Sequence, residues 1–222
     1  MASPKVLIPM ADYDHDPTGA GVEVYLATED GKIPECDRKI LDGITQKLPG
    51  TTAQAVKAYY FSLDGYNLVF LPGGHEKSVR QLIDSPIILK HLASFFPAAK
   101  KPSLTSIAAV CHGVMVLSET EVADCKSVIY NYDTTALPAR FEQVAFWGTR
   151  LFMGDYYKTY GAGLTMWKNL KLANPDKQYK NSLGMGPFVV EDKNHNYISA
   201  RFPCNAELLA EKVITLVKAS TS

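Results

Sequence analysis

"SIAAVCHGVMVL", residues 106–117, decides the fold. Small and β-branched residues run without a polar break from Ile107 to Val110, stop at Cys111, His112 and Gly113, and resume as a second apolar run. A continuous apolar run, rather than an alternating one, predicts a strand covered on both faces. The second run predicts a helix over 112–120, so a thiol and an imidazole stand together at a strand–helix junction. Ala109 and Gly113 flank the cysteine at minus two and plus two. That is the spacing of a nucleophile elbow, in which small residues permit a sharp turn that holds one side chain clear of the sheet.

The same grammar extends along the chain. "KVLIPM" (5–10), "VEVYLAT" (22–28), "YNLVFL" (66–71), "TSIAAV" (105–110) and "KSVIYN" (126–131) predict strands. Helical segments are expected at 36–48, 52–62, 76–84, 86–96 and 112–120. "NAELLAEKVITLVKAS" predicts a closing amphipathic helix capped by Asn205, with Leu209, Val213 and Leu216 on one face. "FVVEDKNHNYISARF" (188–202) predicts a hairpin around a polar turn. Strand–helix alternation of this kind implies an α/β fold, a mostly parallel central sheet with helices on both faces. The connection from Met10 to Gly21 is short for a parallel crossover, and the pairing of the first two strands is open on sequence grounds.

Composition bounds the function. The 222 residues fit a single domain spanning 1–222, and 46% apolar content supports a real core. Lys plus Arg equals Asp plus Glu at 23 each, which leaves no electrostatic footprint for nucleic acid or an anionic membrane. "MASPKVLIPMADYD" has no signal-peptide pattern, and no apolar run is long enough to span a bilayer. Cys36, Cys111, Cys125 and Cys204 show no paired spacing, so reduced thiols, a cytoplasmic location and no metal site are expected.

In an open α/β sheet, ligands sit at the carboxyl ends of the strands. Cys111 falls there. A thiol at a helix N-terminus gains from the macrodipole, and His112 is placed to exchange its proton. The plain alternative is that Cys111 is a small buried apolar residue. A second loop, "VFLPGGHEKSVR" (69–80), puts Gly73, Gly74 and His75 after the preceding strand, where backbone N–H groups can approach a ligand as an oxyanion hole requires. An ordinary turn is the alternative there. Tyr156, Tyr157 and Tyr160, with Trp147 and Trp167, fit core or interface packing more simply than a substrate wall.

These loops carry a resemblance. "LPGGHEKSVRQLIDSP" and "AAVCHGVMVL", with "PMADYDHDPTG", "YLATEDGKIPECD", "YDTTALPARFE", "GDYYKTYGAG" and "NYISARFP", resemble the ThiJ/PfpI superfamily of the class I glutamine-amidotransferase-like fold. The Cys-His pair is similar to the branch that includes heat-inducible chaperones and glutathione-independent glyoxalases. The resemblance implies a flavodoxin-like sandwich, commonly a homodimer, with Cys111 as nucleophile and His112 beside it. A glutamine amidotransferase is not implied, because the late His195 is followed by Asn196 and Tyr197 rather than by the His-x-Glu pair of those enzymes.

The chain also departs from the family pattern. Gly19 stands where an acidic residue opening the first helix is expected, and Ala139 stands where a triad acid is expected, with Glu142 three residues on. Glu142 and Glu23 are therefore candidate acid/base groups, with Asp14, Asp16 and Glu76 as further substitutes. The reaction implied is a cofactor-independent, glyoxalase III-type conversion of small 2-oxoaldehydes such as methylglyoxal to 2-hydroxy acids. Alternatives are a non-enzymatic redox-sensing or chaperone-like stress protein with an oxidisable Cys111, and a hydratase or hydrolase for another small electrophile such as an isocyanide.

Overall fold

The computed structural model describes residues 5–9, 23–28, 54–57, 62–159, 170–184, 186–202 and 205–221. Its frame is a seven-stranded sheet in the order β3-β2-β1-β4-β5-β9-β8. The strands are β1 (Lys5–Pro9), β2 (Glu23–Thr28), β3 (Gln54–Lys57), β4 (Leu68–Leu71), β5 (Ser106–Val110), β8 (Val189–Glu191) and β9 (Tyr197–Ala200). Every pairing is parallel except β8–β9, which is the antiparallel hairpin expected at 188–202. The helices are α1 (Glu76–Ile83), α2 (Pro86–Ala98), α3 (Gly113–Glu119), α4 (Ala139–Met153), the short α5 (Pro175–Gln178) and α6 (Ala206–Thr221). Together they form the α/β, flavodoxin-like sandwich. Among the described residues, no helix is long and apolar enough to cross a membrane.

The unbroken apolar reading of β5 holds: all five of its residues are buried. Leu7, Val69, Leu71 and Ile107 of the middle strands are sealed from solvent. α6 packs on β5 and β9, and α3 packs on β4 and β5. β1 and β2 pair in parallel over five residues, Lys5↔Glu23 to Pro9↔Ala27. That settles the open pairing; the connection between them lies outside the described residues, as do Asp14, Asp16, Gly19 and the helix expected at 36–48.

Three expectations are corrected. Within 52–62, residues Gln54–Lys57 are an edge strand paired to β2, not helix. Four residues are too few for a periodicity to be read, and ladder hydrogen bonds offered by an unpaired β2 edge override local propensity. The expected strand 126–131 reduces to β7 (Lys126–Ser127), paired with β6 (Glu121–Val122) in a separate two-stranded ribbon. Beyond it the backbone turns, with the Tyr130 N–H donating to Ser127 O, so buried Val128 and Ile129 reach the core from a turn. Finally, α4 was not anticipated. It begins after Pro138, and its outward face carries Val144, Trp147, Leu151 and Phe152, all strongly exposed, which blurs the amphipathic period.

Candidate active site

β5 ends at Val110, and the chain turns at once. Cys111 has φ +58°, a left-handed conformation that costs a β-carbon-bearing residue on the order of 1–3 kcal/mol. The surroundings hold it there: its N–H donates to Ala200 O on β9 at 2.9 Å. The glycine at plus two is required by contact, since a methyl at Gly113 would overlap the Leu71 carbonyl oxygen and lie 2.5 Å from that of Pro72. The start of α3 is thereby pressed against the end of β4. On the other side a methyl at Gly73 would sit 2.7 Å from Cys111 Cβ and 3.4 Å from its Sγ. The Pro72–His75 turn therefore lies on the cysteine, as the two-loop reading expected, and it needs Gly73 to do so.

One expectation about the sulfur fails. The elbow was expected to hold the thiol out toward solvent, but Cys111 is only 2% exposed. The diglycine turn approaches closely enough to cover it.

The imidazole of His112 is fully buried and bridges two groups. Nδ1 lies 3.6 Å from Cys111 Sγ. Nε2 lies 3.3 Å from Glu142 Oε1, an ion pair whose approach misses hydrogen-bond alignment. Glu142 projects from the first turn of α4, and its Oε1 accepts the Thr159 N–H at 2.8 Å. The acid is thus supplied one helical turn beyond Ala139. Its placement follows from the preceding segment, which is clipped to β9: Thr134 Oγ1 and Tyr197 OH are 2.6 Å apart, and the Thr135 N–H donates to Ser199 Oγ at 2.9 Å. Phe141 then packs edge-on against Phe202 at 4.8 Å.

The charges of the site follow from this line. Burial alone would push the pKa of His112 down, but the Cys111 sulfur and the Glu142 carboxylate outweigh it and hold His112 up at about 10. For Glu142, burial works upward, while His112 and the Thr159 amide outweigh it and keep the carboxyl below its ordinary range. His75 behaves oppositely. Burial and the neighbouring His112 charge push it down to about 4 against the attraction of Glu142, so it is neutral near pH 7.

His75 sits at the start of α1 with its ring edge-on to His112 at 5.0 Å and to Tyr157 at 4.8 Å; Tyr156 is 6.0 Å away. Tyr156 and Tyr157 therefore lie beside this site, half-buried, whereas Tyr160 and Trp167 lie outside the described residues. Trp147 is exposed and is not core. Thr159 was missed altogether, because its role runs through a backbone amide that side-chain chemistry does not advertise.

The structure separates Glu23 from the site. Glu23 opens β2 and pairs with Lys5 at the start of β1, so it stands at the amino end of the sheet, opposite Cys111. It cannot serve as the acid or base here. Cys125 is exposed in the turn before β7, while Cys36 and Cys204 fall outside the described residues.

Known proteins resemble this chain in sequence and fold. The ThiJ/PfpI family-like model matches residues 59–184, more than half of the chain and both loops of the site. The chain belongs to the ThiJ/PfpI family. An uncharacterized protein of Schizosaccharomyces pombe is 21% identical over 216 residues, covering 89% of this chain and 74% of that one. Among the solved structures that share this fold are one from Francisella tularensis and one from Candida albicans. Rapid Encystment Protein 24 KDa of Francisella tularensis superposes with a TM-score of 0.66 at 12% identity, covering 96% of this chain and 99% of that one. Glyoxalase III from Candida albicans superposes with a TM-score of 0.62 at 17% identity, covering 96% of this chain and 97% of that one. At these identities the likeness is one of fold.

Proposed function

We propose that the chain is a cysteine-dependent, glyoxalase III-type lyase acting on small 2-oxoaldehydes. The observation that carries this reading is the line Cys111 Sγ, His112 Nδ1 at 3.6 Å, His112 Nε2, Glu142 Oε1 at 3.3 Å. A nucleophile, a proton carrier and an orienting acid in sequence are the elements of an activated thiol. The Candida albicans structural neighbour carrying the glyoxalase III name supports the choice of substrate class.

The steps balance without an external oxidant. The thiolate of Cys111 adds to the aldehyde carbon, and His112, held as imidazolium, gives its proton to the new alkoxide to complete a hemithioacetal. Now neutral, His112 removes the hydrogen from that same carbon as a proton, forming an enediolate whose negative oxygen is stabilised by donors of the Gly73–Gly74 turn and of the elbow. His112 returns that proton to the adjacent carbon while the hydroxyl proton of the sulfur-bearing carbon passes to the neighbouring oxygen, and a 2-hydroxy thioester results. The first carbon has been oxidised and its neighbour reduced. Water then cleaves the thioester, releasing a 2-hydroxy acid and the free thiol.

The test is methylglyoxal turnover by the purified chain, followed as lactate. Cys111→Ser is expected to abolish lactate formation. Full activity in that variant, or no turnover by the wild type, overturns the reading; zero turnover combined with ready conversion of Cys111 to sulfinic acid in peroxide, read by intact mass, supports the sensor alternative instead.

A further inference from the structure

We propose that His75, His112 and Glu142 form a divalent-cation site of the zinc type, and that filling it switches the thiol site off. No spacing in the sequence announces this, because the three donors come from three separate elements: the turn ahead of α1, the elbow ahead of α3, and the first turn of α4. The fold nevertheless brings one ligand atom of each to within 4.8 Å of the others. Two imidazoles and a carboxylate are the donor set of zinc sites that leave a fourth position open.

Two further observations point to a ligand. His112 Nε2 is fully buried, is aimed at this cluster, and makes no hydrogen bond there despite lying 3.3 Å from Glu142. Glu142 is meanwhile held by the Thr159 N–H, the kind of outer contact that fixes a metal-binding carboxylate. At ordinary zinc distances of about 2.0–2.2 Å, ligand atoms stand roughly 3.3–3.5 Å apart. His112 and Glu142 already have that separation, so His75, on a turn, is the donor that closes in.

The consequence for the thiol follows from which nitrogen is used. The metal takes the place of the proton on His112 Nε2, and that proton leaves to solvent. The other nitrogen, Nδ1, keeps its hydrogen toward the Cys111 sulfur. His112 is then no longer an imidazolium: the hydrogen left on Nδ1 is a far weaker acid and is not given to the new alkoxide, and thiol-dependent turnover stops. This inhibitory half rests on the lyase reading above; occupancy of the site does not, and it is measured without turnover.

The experiment titrates Co2+ into chelator-treated protein and follows its visible d–d bands, with Zn2+ bound at equilibrium dialysis counted in parallel. About one equivalent is expected for either ion. His75→Gln should weaken Co2+ binding by more than the roughly 10–100-fold that loss of an outer partner costs. His75→Asp, which restores an oxygen ligand, should recover much of it, and Cys111→Ser should leave the bands in place. Glu142→Gln gives the same reading should a His75 variant not fold. Absence of stoichiometric binding, wild-type binding by folded His75→Gln, or a thiolate-to-cobalt band that disappears in Cys111→Ser each overturns the proposal. If binding is present but turnover is absent in the metal-free protein, the site stands and the lyase reading falls.

Discussion

At the scale of single residues, two neighbouring histidines are driven in opposite directions: the Cys111 sulfur and the Glu142 carboxylate outweigh burial and raise His112, whereas burial and the His112 charge lower His75. His112 is held up at about 10, above its ordinary 6.5, so its stabilising contribution is complete below pH 6.5 and is lost as pH rises toward 10. His75 is pushed down to about 4, so its contribution is complete above 6.5 and is lost as pH falls through 4; the depressed Glu142 adds to the acid loss. Urea unfolding of chelator-treated protein should therefore show a maximum near neutrality. His75→Gln is expected to flatten the acid limb and His112→Gln the alkaline limb; an acid limb unchanged in His75→Gln refutes the assignment. Glu142→Gln keeps the shape of the site but not its charge, and kcat for methylglyoxal should fall by roughly 10²–10⁴-fold, the scale of losing an orienting acid. Cys111, His112 and the glycines were legible in the sequence because a sharp turn and a close approach demand particular residue types. The burial of the sulfur was not, since it depends on a loop 38 positions earlier coming to rest on it.

At the scale of elements, the acid of the site is set by how α4 begins. Residues 133–138 carry no regular structure, yet they are fixed to β9 through Thr134, Thr135, Tyr197 and Ser199. Ser199→Ala removes the acceptor of the Thr135 N–H and leaves it buried and unsatisfied, at a cost of about 1–3 kcal/mol. The expected result is that loss in urea unfolding together with a lowered kcat, as Glu142 is no longer held one turn into the helix; a loss of stability with kcat untouched would separate the clip from the site. Gly113→Ala should be costlier to function than its volume suggests, because the added methyl meets backbone rather than a side chain that can swing away. The elements read correctly from sequence were those with a single face or a full apolar run, such as β5 and α6. α4 escaped because Val144, Trp147, Leu151 and Phe152 stay exposed, Leu151 at 94%, so apolar residues ring the helix instead of marking one side.

At the scale of the whole molecule, the order β3-β2-β1-β4-β5-β9-β8 places the reversal of winding between β1 and β4. Ligands in such sheets bind at the carboxyl ends beside that point. The Pro72–His75 turn leaves β4 there, and the elbow leaves β5 next to it, so topology alone brings the two loops to one pole. The strain at Cys111 can persist only if the sheet beneath is rigid, and its N–H is itself locked to β9. Stability should therefore be graded across the sheet, highest under the cysteine and lowest at the edges. Native-state hydrogen exchange measures this directly. Amides of Val69–Leu71, Ile107–Val110 and Cys111 are expected to exchange only through global unfolding, with a denaturant dependence equal to that of the whole chain. Amides of β8, on the outer edge with partly exposed side chains, should open locally and at least tenfold faster. If the Cys111 amide instead exchanges with the edge strands, the elbow is a mobile turn, and a buried thiol poised by its neighbours no longer describes the site.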